Sequence, residues 1–338
     1  MNAVTSPIDL ASVLRGPISN GLDSEIALIV QSIAGASIEL ASRLRFEPPS
    51  SGGDVEQPLD IVANEIFLAA LGCVPVRAVL SAVAHEPILM DDSASFAVVI
   101  TPLDRSGNSS ANAPMGTIFS VLRASSPDDP TGAFLQSGRR HICGAGFVMY
   151  GPATVMALSV GRGTDLFMLG RAGAFVRTHA RLAMPIGTRE FAINAANYRH
   201  WDPRLRIYID DLVAGTDGPR GQDFNMRWIA AVVAEAYRIL LHGGIFLYPS
   251  DARDGYRNGR LRLLYEAQPL AFLVEQAGGA AIDMTNPVLD RVPTELHERC
   301  PLVFGSPDKV ARVPEYLTAS QFTGERSPLF ASRGLFRS

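Results

Sequence analysis

The stretch F-V-M-Y-G-P-A-T-V-M-A-L-S-V-G-R-G-T-D-L-F-M-L, residues 147–169, decides how this chain folds. It contains three short apolar runs of strand length, which are Phe147–Tyr150, Met156–Val160 and Leu166–Leu169. The first two are divided by Gly151-Pro152, and the last two by the glycine-containing run at 161–165. Apolar runs separated by such turns predict neighbouring strands joined as hairpins.

The same region contains a segment without charge, Ile142–Gly161, which is nominally long enough to cross a bilayer. A glycine-proline pair lies at its centre. A lipid-exposed helix broken at that point would leave backbone groups without hydrogen-bond partners. Two buried segments that meet at a turn are therefore expected, and no membrane association is predicted.

Outward from this stretch, strands and helices alternate in both halves of the chain. Helices are predicted at Ser24–Arg45, Leu59–Leu71 (after Pro58), Met226–Leu241 and Pro269–Ala277. Further strands are predicted at Phe96–Ile100, Gly116–Leu122, Phe191–Asn194, Gly244–Tyr248 and Leu261–Tyr265. This alternation predicts a layered α/β fold. We place a domain boundary near residue 185, giving an N-terminal domain over 1–185 and a C-terminal domain over 186–338.

The composition of the 338-residue chain, 47% hydrophobic and 19% charged, is typical of a globular protein with a large core. The net charge of −4 comes without any basic block, so we expect no nucleic-acid partner. Cys73, Cys143 and Cys300 are odd in number and widely separated. They favour a reducing compartment, and we expect a cytoplasmic protein without a secretory leader.

Among the 30 basic residues only one is lysine, Lys309, within the surface-like run Ser306-Pro307-Asp308-Lys309. A P-loop, Schiff-base chemistry and pyridoxal chemistry all need a lysine, and only Lys309 is available to them. Arginine stays protonated and therefore binds anions without acting as a base. A general bias of composition towards arginine explains most of this count.

Acidic residues that stand at the ends of predicted elements are the candidates for chemistry. Asp54 and Asp60 flank the start of a predicted helix, Asp104 follows a predicted strand, and Glu266 lies between a predicted strand and a helix. Carboxylates in such places suit Mg²⁺, although each also fits a role as a helix cap or solvated loop residue. Arg260 and Arg262 alternate along one predicted strand, which fits either an anion clamp or a solvated face.

Five ordered motifs carry a family resemblance. They are G-T-I-F-S at 116–120, M-Y-G-P at 149–152, G-G-I-F-L-Y-P at 243–249, the run from Asn258 through Glu266, and L-V-E-Q-A-G-G at 273–279. In these the chain resembles the class I fructose-1,6-bisphosphatases over nearly its whole length. The resemblance implies an α-β-α-β-α sandwich, assembly into dimers or tetramers, and removal of the 1-phosphate from fructose 1,6-bisphosphate with Mg²⁺.

Compared with the family, the metal-site motifs are incomplete. G-D-V-E-Q-P-L-D at 53–60 keeps the two aspartates, and the resemblance implies catalytic roles for Asp54, Asp60 and Asp104. T-P-L-D-R-S-G-N at 101–108 has Thr101 in place of a metal-binding aspartate and Arg105 in place of a glycine. Ala82 and Val83 align with two metal-binding glutamates. Only Asp104 and Glu266 remain as implied metal ligands, which predicts a weak or absent Mg²⁺ site.

The sugar-phosphate motifs are better kept. By resemblance, Arg262 contacts the 1-phosphate, and the groups around the 6-phosphate are Asn194, Arg227, Tyr248 and Arg260, with Arg227 acting across a subunit interface. Ser106 also matches a substrate-binding position. Trp228 stands where the family has tyrosine, and Ala195-Ala196 replaces its Glu-Gly pair.

Three hypotheses follow for the function. The main one is a diverged family member that binds an anionic or phosphorylated small molecule with altered catalysis that needs no metal, because three ligand positions are replaced. The alternative is an ordinary Mg²⁺-dependent fructose-1,6-bisphosphatase. The third is a non-catalytic sensor. In each case we expect a homo-oligomer.

Overall fold

The computed structural model of the protein describes residues 8–15, 23–46, 58–124 and 131–318. Its helices are α1 (Leu10–Arg15), α2 (Ser24–Phe46), α3 (Leu59–Leu71), α4 (Gly138–His141), α5 (Pro203–Val213), α6 (Val232–His242), α7 (Gln268–Gln276), α8 (Pro307–Val310) and α9 (Arg312–Thr318). The predicted helices α2, α3 and α7 are confirmed to within one residue at each end.

The first sheet has eight strands, which are β1 (Ala78–Ser81), β2 (Ile88–Leu89), β3 (Phe96–Asp104), β4 (Met115–Arg123), β5 (Ile142–Tyr150), β6 (Thr154–Ser159), β7 (Thr164–Leu169) and β8 (Phe175–Leu182). Their order is β2-β1-β3-β4-β5-β6-β7-β8. All neighbours are antiparallel except β1 and β3. The two predicted hairpins are therefore confirmed, and the uncharged segment 142–161 consists of β5, a turn and β6.

The second sheet contains β9 (Glu190–Ala192), β10 (Asn225–Met226), β11 (Ile245–Tyr248), β13 (Ala280–Ile282) and β15 (Leu302–Gly305), while β12 (Leu261–Arg262) and β14 (Arg299–Cys300) form a separate pair. The order of the five strands is β10-β9-β11-β15-β13. β10, β9 and β11 run parallel, and β15 is antiparallel to β11 and β13.

The sheets are stacked between helices because their central strands are buried on both faces. On β4, Phe119 packs in a core with α2 and α3, while its neighbour Ile118 packs in a second core with α6 and α7. On β11, Phe246 joins that second core, whereas Leu247 joins a third core with α5 and α9. Alternate side chains of a strand point to opposite faces, so the layers run α-β-α-β-α. This confirms the predicted sandwich.

α2 is long and apolar enough to cross a membrane by length and composition alone. Its side chains Ile29, Val30, Ile33 and Leu40 are fully buried against the first sheet and α3. It is the core helix of the outer layer.

Three predictions about local structure are wrong. The helix expected from Met226 begins only at Val232, because Asn225–Met226 pairs with β9 and Ala230 adopts a positive φ of 63°. The strand expected over Leu261–Tyr265 ends at Arg262 and continues as a π-helical turn over Leu263–Ala267. Lys309, expected at the surface, is only 5% exposed and pairs with Asp308 at 3.2 Å.

The tight packing of β4 on β5 supports a stability prediction. A Cβ on Gly146 would lie 2.5 Å from the Phe119 ring and 2.9 Å from the Ala157 carbonyl oxygen. Since Phe119 is fully buried, we expect Gly146→Ala to lower the free energy of unfolding by about 1–3 kcal/mol. Denaturant unfolding followed by circular dichroism measures the change.

Gly35→Ala is the matched control for this substitution. Gly35 is exposed in the interior of α2, and nothing lies within 4 Å of an added Cβ. Alanine there should raise the free energy of unfolding by about 0.5–1 kcal/mol. If both variants shift stability in the same direction, the packing explanation is wrong.

Candidate functional site

One part of the site lies where β1 ends beside its parallel neighbour β3. Ser81 of β1 is paired with Ile100 of β3, and the amide of Ala82 donates to the Ile100 carbonyl at 2.8 Å. Ala82 and Thr101, which were aligned with family ligands by counting along the sequence, therefore lie next to each other. Asp104 ends the same strand three residues further on.

The Arg262 side chain joins this edge of the sheet to the turn that leads into α7. Its Nη1 donates to the Ala82 carbonyl at 3.1 Å, and its Nε lies 3.5 Å from Glu266 Oε1. The guanidinium also lies over the Tyr265 ring, with 4.5 Å between Cζ and the ring centroid. The π-helical turn places Glu266 back towards Arg262, whose amide donates to Glu266 Oε2 at 2.5 Å.

Asp104 and Glu266 form a pair of poorly hydrated carboxyls. Burial raises the pKa of Glu266 to about 7, the Arg262 charge opposes that rise, and the nearby Asp104 charge adds to it. Burial also raises the pKa of Asp104, against the charges of Arg105 and Arg262. Asp104 Oδ2 is buried and accepts no hydrogen bond from the described residues. An unpartnered buried carboxylate oxygen favours a cation or a hydrogen-bond donor from a ligand.

The carboxyls of Asp104 and Glu266 are a small donor set for a metal ion. Among residues 8–15, 23–46, 58–124 and 131–318, no group of three or more His, Cys, Asp or Glu side chains is arranged to hold one. Mg²⁺, however, is often held by one or two carboxylates together with water and phosphate oxygens. The orphaned Asp104 oxygen beside Glu266 fits one such ion, completed by a phosphorylated ligand.

The replaced family positions have plain structural outcomes. Thr101 is buried, and its hydroxyl donates a hydrogen bond of 3.5 Å to the Tyr265 carbonyl. Arg105 takes the place of a glycine in a left-handed conformation, with φ 62° and ψ 41°. Its side chain is exposed, and half-buried Ser106 begins the short 3₁₀ helix that follows.

The two remaining predicted aspartates are Asp54 and Asp60. Asp60 lies half-buried in the first turn of α3. One turn later Asn64 Oδ1 accepts a hydrogen bond of 2.6 Å from Ser81, the residue before Ala82, so this side of α3 faces the site. Asp54 lies outside the described residues.

A second part of the site is a narrow cleft at the end of β11. Three of the predicted sugar-phosphate residues, Asn194, Tyr248 and Arg260, line it together. Asn197, Trp201 and Asp251 also line the cleft, and sequence reasoning missed them. The position of Asp251 just beyond the Leu247-Tyr248-Pro249 motif was the available signal for that residue. The Arg260 guanidinium lies 6.0 Å from the centroid of the Tyr248 ring.

Arg227 is not among the residues that line this cleft. Its side chain is about half exposed, and its Nε lies 3.5 Å from Glu190 Oε1. The adjacent Trp228 is parallel to Tyr248, with 6.1 Å between ring centroids. Trp228 thus covers the strand that carries Tyr248, and a role for Arg227 across a subunit interface remains a prediction.

Arg260 and Arg262 face different parts of the site. The expectation that they share one face of a long strand is wrong, because Arg260 precedes β12 and contacts Tyr248, whereas Arg262 contacts Ala82 and Glu266. One residue separates them, so two guanidinium groups stand close together along the chain while their side chains contact different parts of the site.

Known proteins resemble this chain along both halves. The family model described as "Fructose-1-6-bisphosphatase, N-terminal domain" matches residues 20–180, and the C-terminal domain model matches residues 184–318. The class 1 fructose-1,6-bisphosphatase of Sinorhizobium medicae is 48% identical over 330 residues, covering 94% of each chain. That of Rhizobium meliloti is 47% identical and covers the whole of both chains.

Solved structures give the same result. Leishmania major fructose-1,6-bisphosphatase in its holo form is 29% identical, superposes with a TM-score of 0.83, and matches 93% of this chain and 100% of its own. Its apo form is 30% identical with the same TM-score and coverage.

The main functional hypothesis from the sequence is contradicted by these relatives. Several proteins 44–48% identical over nearly the full chain are named class 1 fructose-1,6-bisphosphatases, which favours the alternative hypothesis of an active phosphatase. The replaced ligand positions do not decide the function, because a count of carboxylates assumes that every family ligand is required.

The segment carrying Arg227 and Trp228 is held by Glu235, which supports a pH prediction. Glu235 is fully buried and accepts a hydrogen bond of 2.5 Å from the Ile229 amide. It also lies 3.8 Å from Arg238 Nε. Arg238 forms a second ion pair with Glu190. Burial raises the Glu235 pKa from 4.5 to about 7. The folded state therefore binds this proton more tightly than the unfolded state, so ionisation above pH 4.5 destabilises the fold.

We expect Glu235→Gln to leave stability nearly unchanged at pH 4.5 and to raise it relative to the wild type as pH increases to about 7. By linkage, the gain reaches at most about 3 kcal/mol. Urea unfolding at a series of pH values measures it. A difference that is constant with pH would contradict the assignment.

Proposed function

The chain belongs to the fructose-1,6-bisphosphatase family, and from this premise we propose that it hydrolyses the 1-phosphate of fructose 1,6-bisphosphate with Mg²⁺ as cofactor. One observation carries the proposal: Arg262 stands against the Asp104–Glu266 carboxyl pair, and Arg260 stands one residue away in the neighbouring cleft. Two guanidinium groups in adjacent subsites suit a ligand with a phosphate at each end.

In this proposal the site residues have separate roles. Arg262 binds the 1-phosphate, and its position is held by Glu266 and the Ala82 carbonyl. Asn194, Tyr248 and Arg260 bind the 6-phosphate end of the sugar, and Ser106 adds a hydroxyl beside Asp104. We assign catalytic roles to Asp54, Asp60 and Asp104 on the family resemblance.

Asp104 and Glu266 are the residues that would hold Mg²⁺. The bound ion would polarise phosphate oxygens and offset the charge that develops on them. Because the chain supplies few carboxylates, the phosphate of the substrate completes the site, so we expect Mg²⁺ and substrate to bind cooperatively.

The proposal also covers the oligomeric state and the cellular location of the protein. We propose a homo-oligomer, dimer or tetramer, in which Arg227 reaches the cleft of a neighbouring subunit. We also propose a cytoplasmic protein, supported by three free cysteines. The division into domains near residue 185 remains a prediction.

The activity is tested by phosphate release from fructose 1,6-bisphosphate at millimolar Mg²⁺, with and without chelator. We expect release with Mg²⁺ and its loss with chelator. Asp104→Asn and Glu266→Gln should each lower kcat at least about 100-fold, since each removes one of two metal-binding carboxylates. Glu39→Gln, which removes an exposed carboxylate of α2, is the control and should keep the wild-type rate.

Phosphate release that persists in chelator would overturn the Mg²⁺ assignment. Binding of fructose 1,6-bisphosphate without any release of phosphate would instead support a non-catalytic sensor.

The role of Arg227 is tested by subunit mixing. We expect Arg227→Ala and Arg260→Ala each to raise the KM strongly. If each site takes Arg227 from a partner, co-refolded mixtures should recover about a quarter of the wild-type sites, because half of the subunit pairs are mixed and each mixed pair contains one intact site. Recovery of no activity would place Arg227 in the cleft of its own chain or outside the site.

A further inference from the structure

The segment over residues 250–260, next to the sugar-phosphate cleft, contains a stack of two arginines on one tyrosine. The Arg253 guanidinium lies 4.3 Å from the centroid of the Tyr256 ring, and the Arg260 guanidinium lies 4.4 Å from the same centroid. Both distances are within the range of a cation–π interaction. Tyr256 is half-buried, so its ring has limited freedom to turn away.

The two arginines differ in how their charges are compensated. Arg253 forms an ion pair with Asp251, to which its Nε donates at 3.0 Å, and its Nη2 donates to Asn197 at 2.9 Å. Arg260 forms no ion pair with a carboxylate of the described residues, and its side chain contacts the rings of Tyr248 and Tyr256. Its charge therefore remains available to an anion in the cleft.

The Arg253–Asp251 pair also affects the cleft directly. Asp251 lines the cleft and is 9% exposed, and hydrogen bonds from Arg253 lower its pKa, so it carries a negative charge where a phosphate would bind. The Arg253 charge offsets this repulsion.

The backbone on either side of Arg260 is fixed. Gly259 has φ 83°, and a Cβ there would lie 2.2 Å from the backbone of Cys300 and Pro301. The Arg260 carbonyl accepts a hydrogen bond of 2.9 Å from Arg299. What remains to be set is the direction of the Arg260 side chain, and Tyr256 is the closest aromatic surface that it contacts.

We propose that Tyr256, supported by Arg253, is a positioning residue that holds the Arg260 guanidinium towards the phosphate of the substrate distant from the cleaved bond. This rests on the proposed function for the identity of the substrate. It predicts that the Tyr256 ring contributes to affinity for the 6-phosphate group through Arg260, with no part in the chemical step.

The test compares Tyr256→Leu, which keeps an apolar side chain and loses the π face, with Tyr256→Phe, which keeps the face. Two quantities are measured: the Kd for fructose 6-phosphate by isothermal titration calorimetry, and KM and kcat for fructose 1,6-bisphosphate. Tyr256→Leu should raise the Kd and KM about three- to tenfold and leave kcat unchanged. Tyr256→Phe should stay within about twofold of the wild type for Kd.

A double-mutant cycle shows whether the effect passes through Arg260. Tyr256→Leu should add no further loss of affinity when combined with Arg260→Ala.

Arg257→Leu is the control for loop charge. It removes a positive charge from the same loop at a side chain that is 74% exposed, and its Kd should match the wild type if the stack, and not the charge of the loop, determines affinity. Tyr256→Met, which also lacks a π face and leaves the Arg253–Asp251 pair in place, serves if Tyr256→Leu does not fold.

Three results would overturn the inference: an unchanged Kd in Tyr256→Leu, a loss that adds to that of Arg260→Ala, or a fall in kcat with an unchanged KM. Failure of the wild type to bind fructose 6-phosphate overturns it as well. The expected Kd pattern without any phosphate release would support the stack while the proposed function fails.

Discussion

Burial of both faces of the central strands is the constraint on which the other layers depend. A strand such as β4 directs Ile118 and Phe119 into different cores, so each face needs its own cover of helices. β11 has the same property in the second sheet. The helices α6 and α7 lie between the sheets and serve both, and this shared layer fixes the distance between the ends of β3 and β11. The two parts of the candidate site are carried at those ends.

The sequence was sufficient to predict those helices and strands whose residue pattern fits only one type of secondary structure. The Gly151-Pro152 turn and the glycine-containing run at 161–165 favour hairpins between apolar runs, and the long helical periodicity of α2 does not fit a strand. It was insufficient where an apolar run suits two structures. Leu263, Leu264 and Tyr265 are all buried, so no alternation exists to distinguish a strand from the π-helical turn that forms. The helical periodicity placed the start of a helix at Met226, which is too early. Residues 225–226 pair with β9 instead, and this long-range interaction cannot be inferred from the local sequence pattern.

The sequence predicted which residues form the site better than it predicted the contacts between them. Asn194, Tyr248 and Arg260 share a cleft, and Arg262 meets Glu266, as the ordered motifs imply. The contact of Arg262 with the Ala82 carbonyl depends on a backbone atom, to which residue identity gives no guide. The functional conclusion drawn from three replaced carboxylates was wrong for a related reason, because loss of a ligand type says nothing about the groups that remain. Asp104 still presents a buried oxygen without a partner, and that oxygen is visible only in three dimensions.

The burial of Lys309 has a consequence for the chemical durability of the protein. Its amine is the only side-chain amine in the chain, and it is enclosed beside Asp308 and the Phe224 ring. Reagents that attack amines, such as acylating agents, reducing sugars and aldehydes, therefore find no exposed side-chain amine. The cations of the cleft are guanidinium groups, which these reagents attack far less readily. Vicinal dicarbonyls such as phenylglyoxal react with guanidinium instead, so exposure to dicarbonyl metabolites, rather than acetylation, is the covalent hazard for this site.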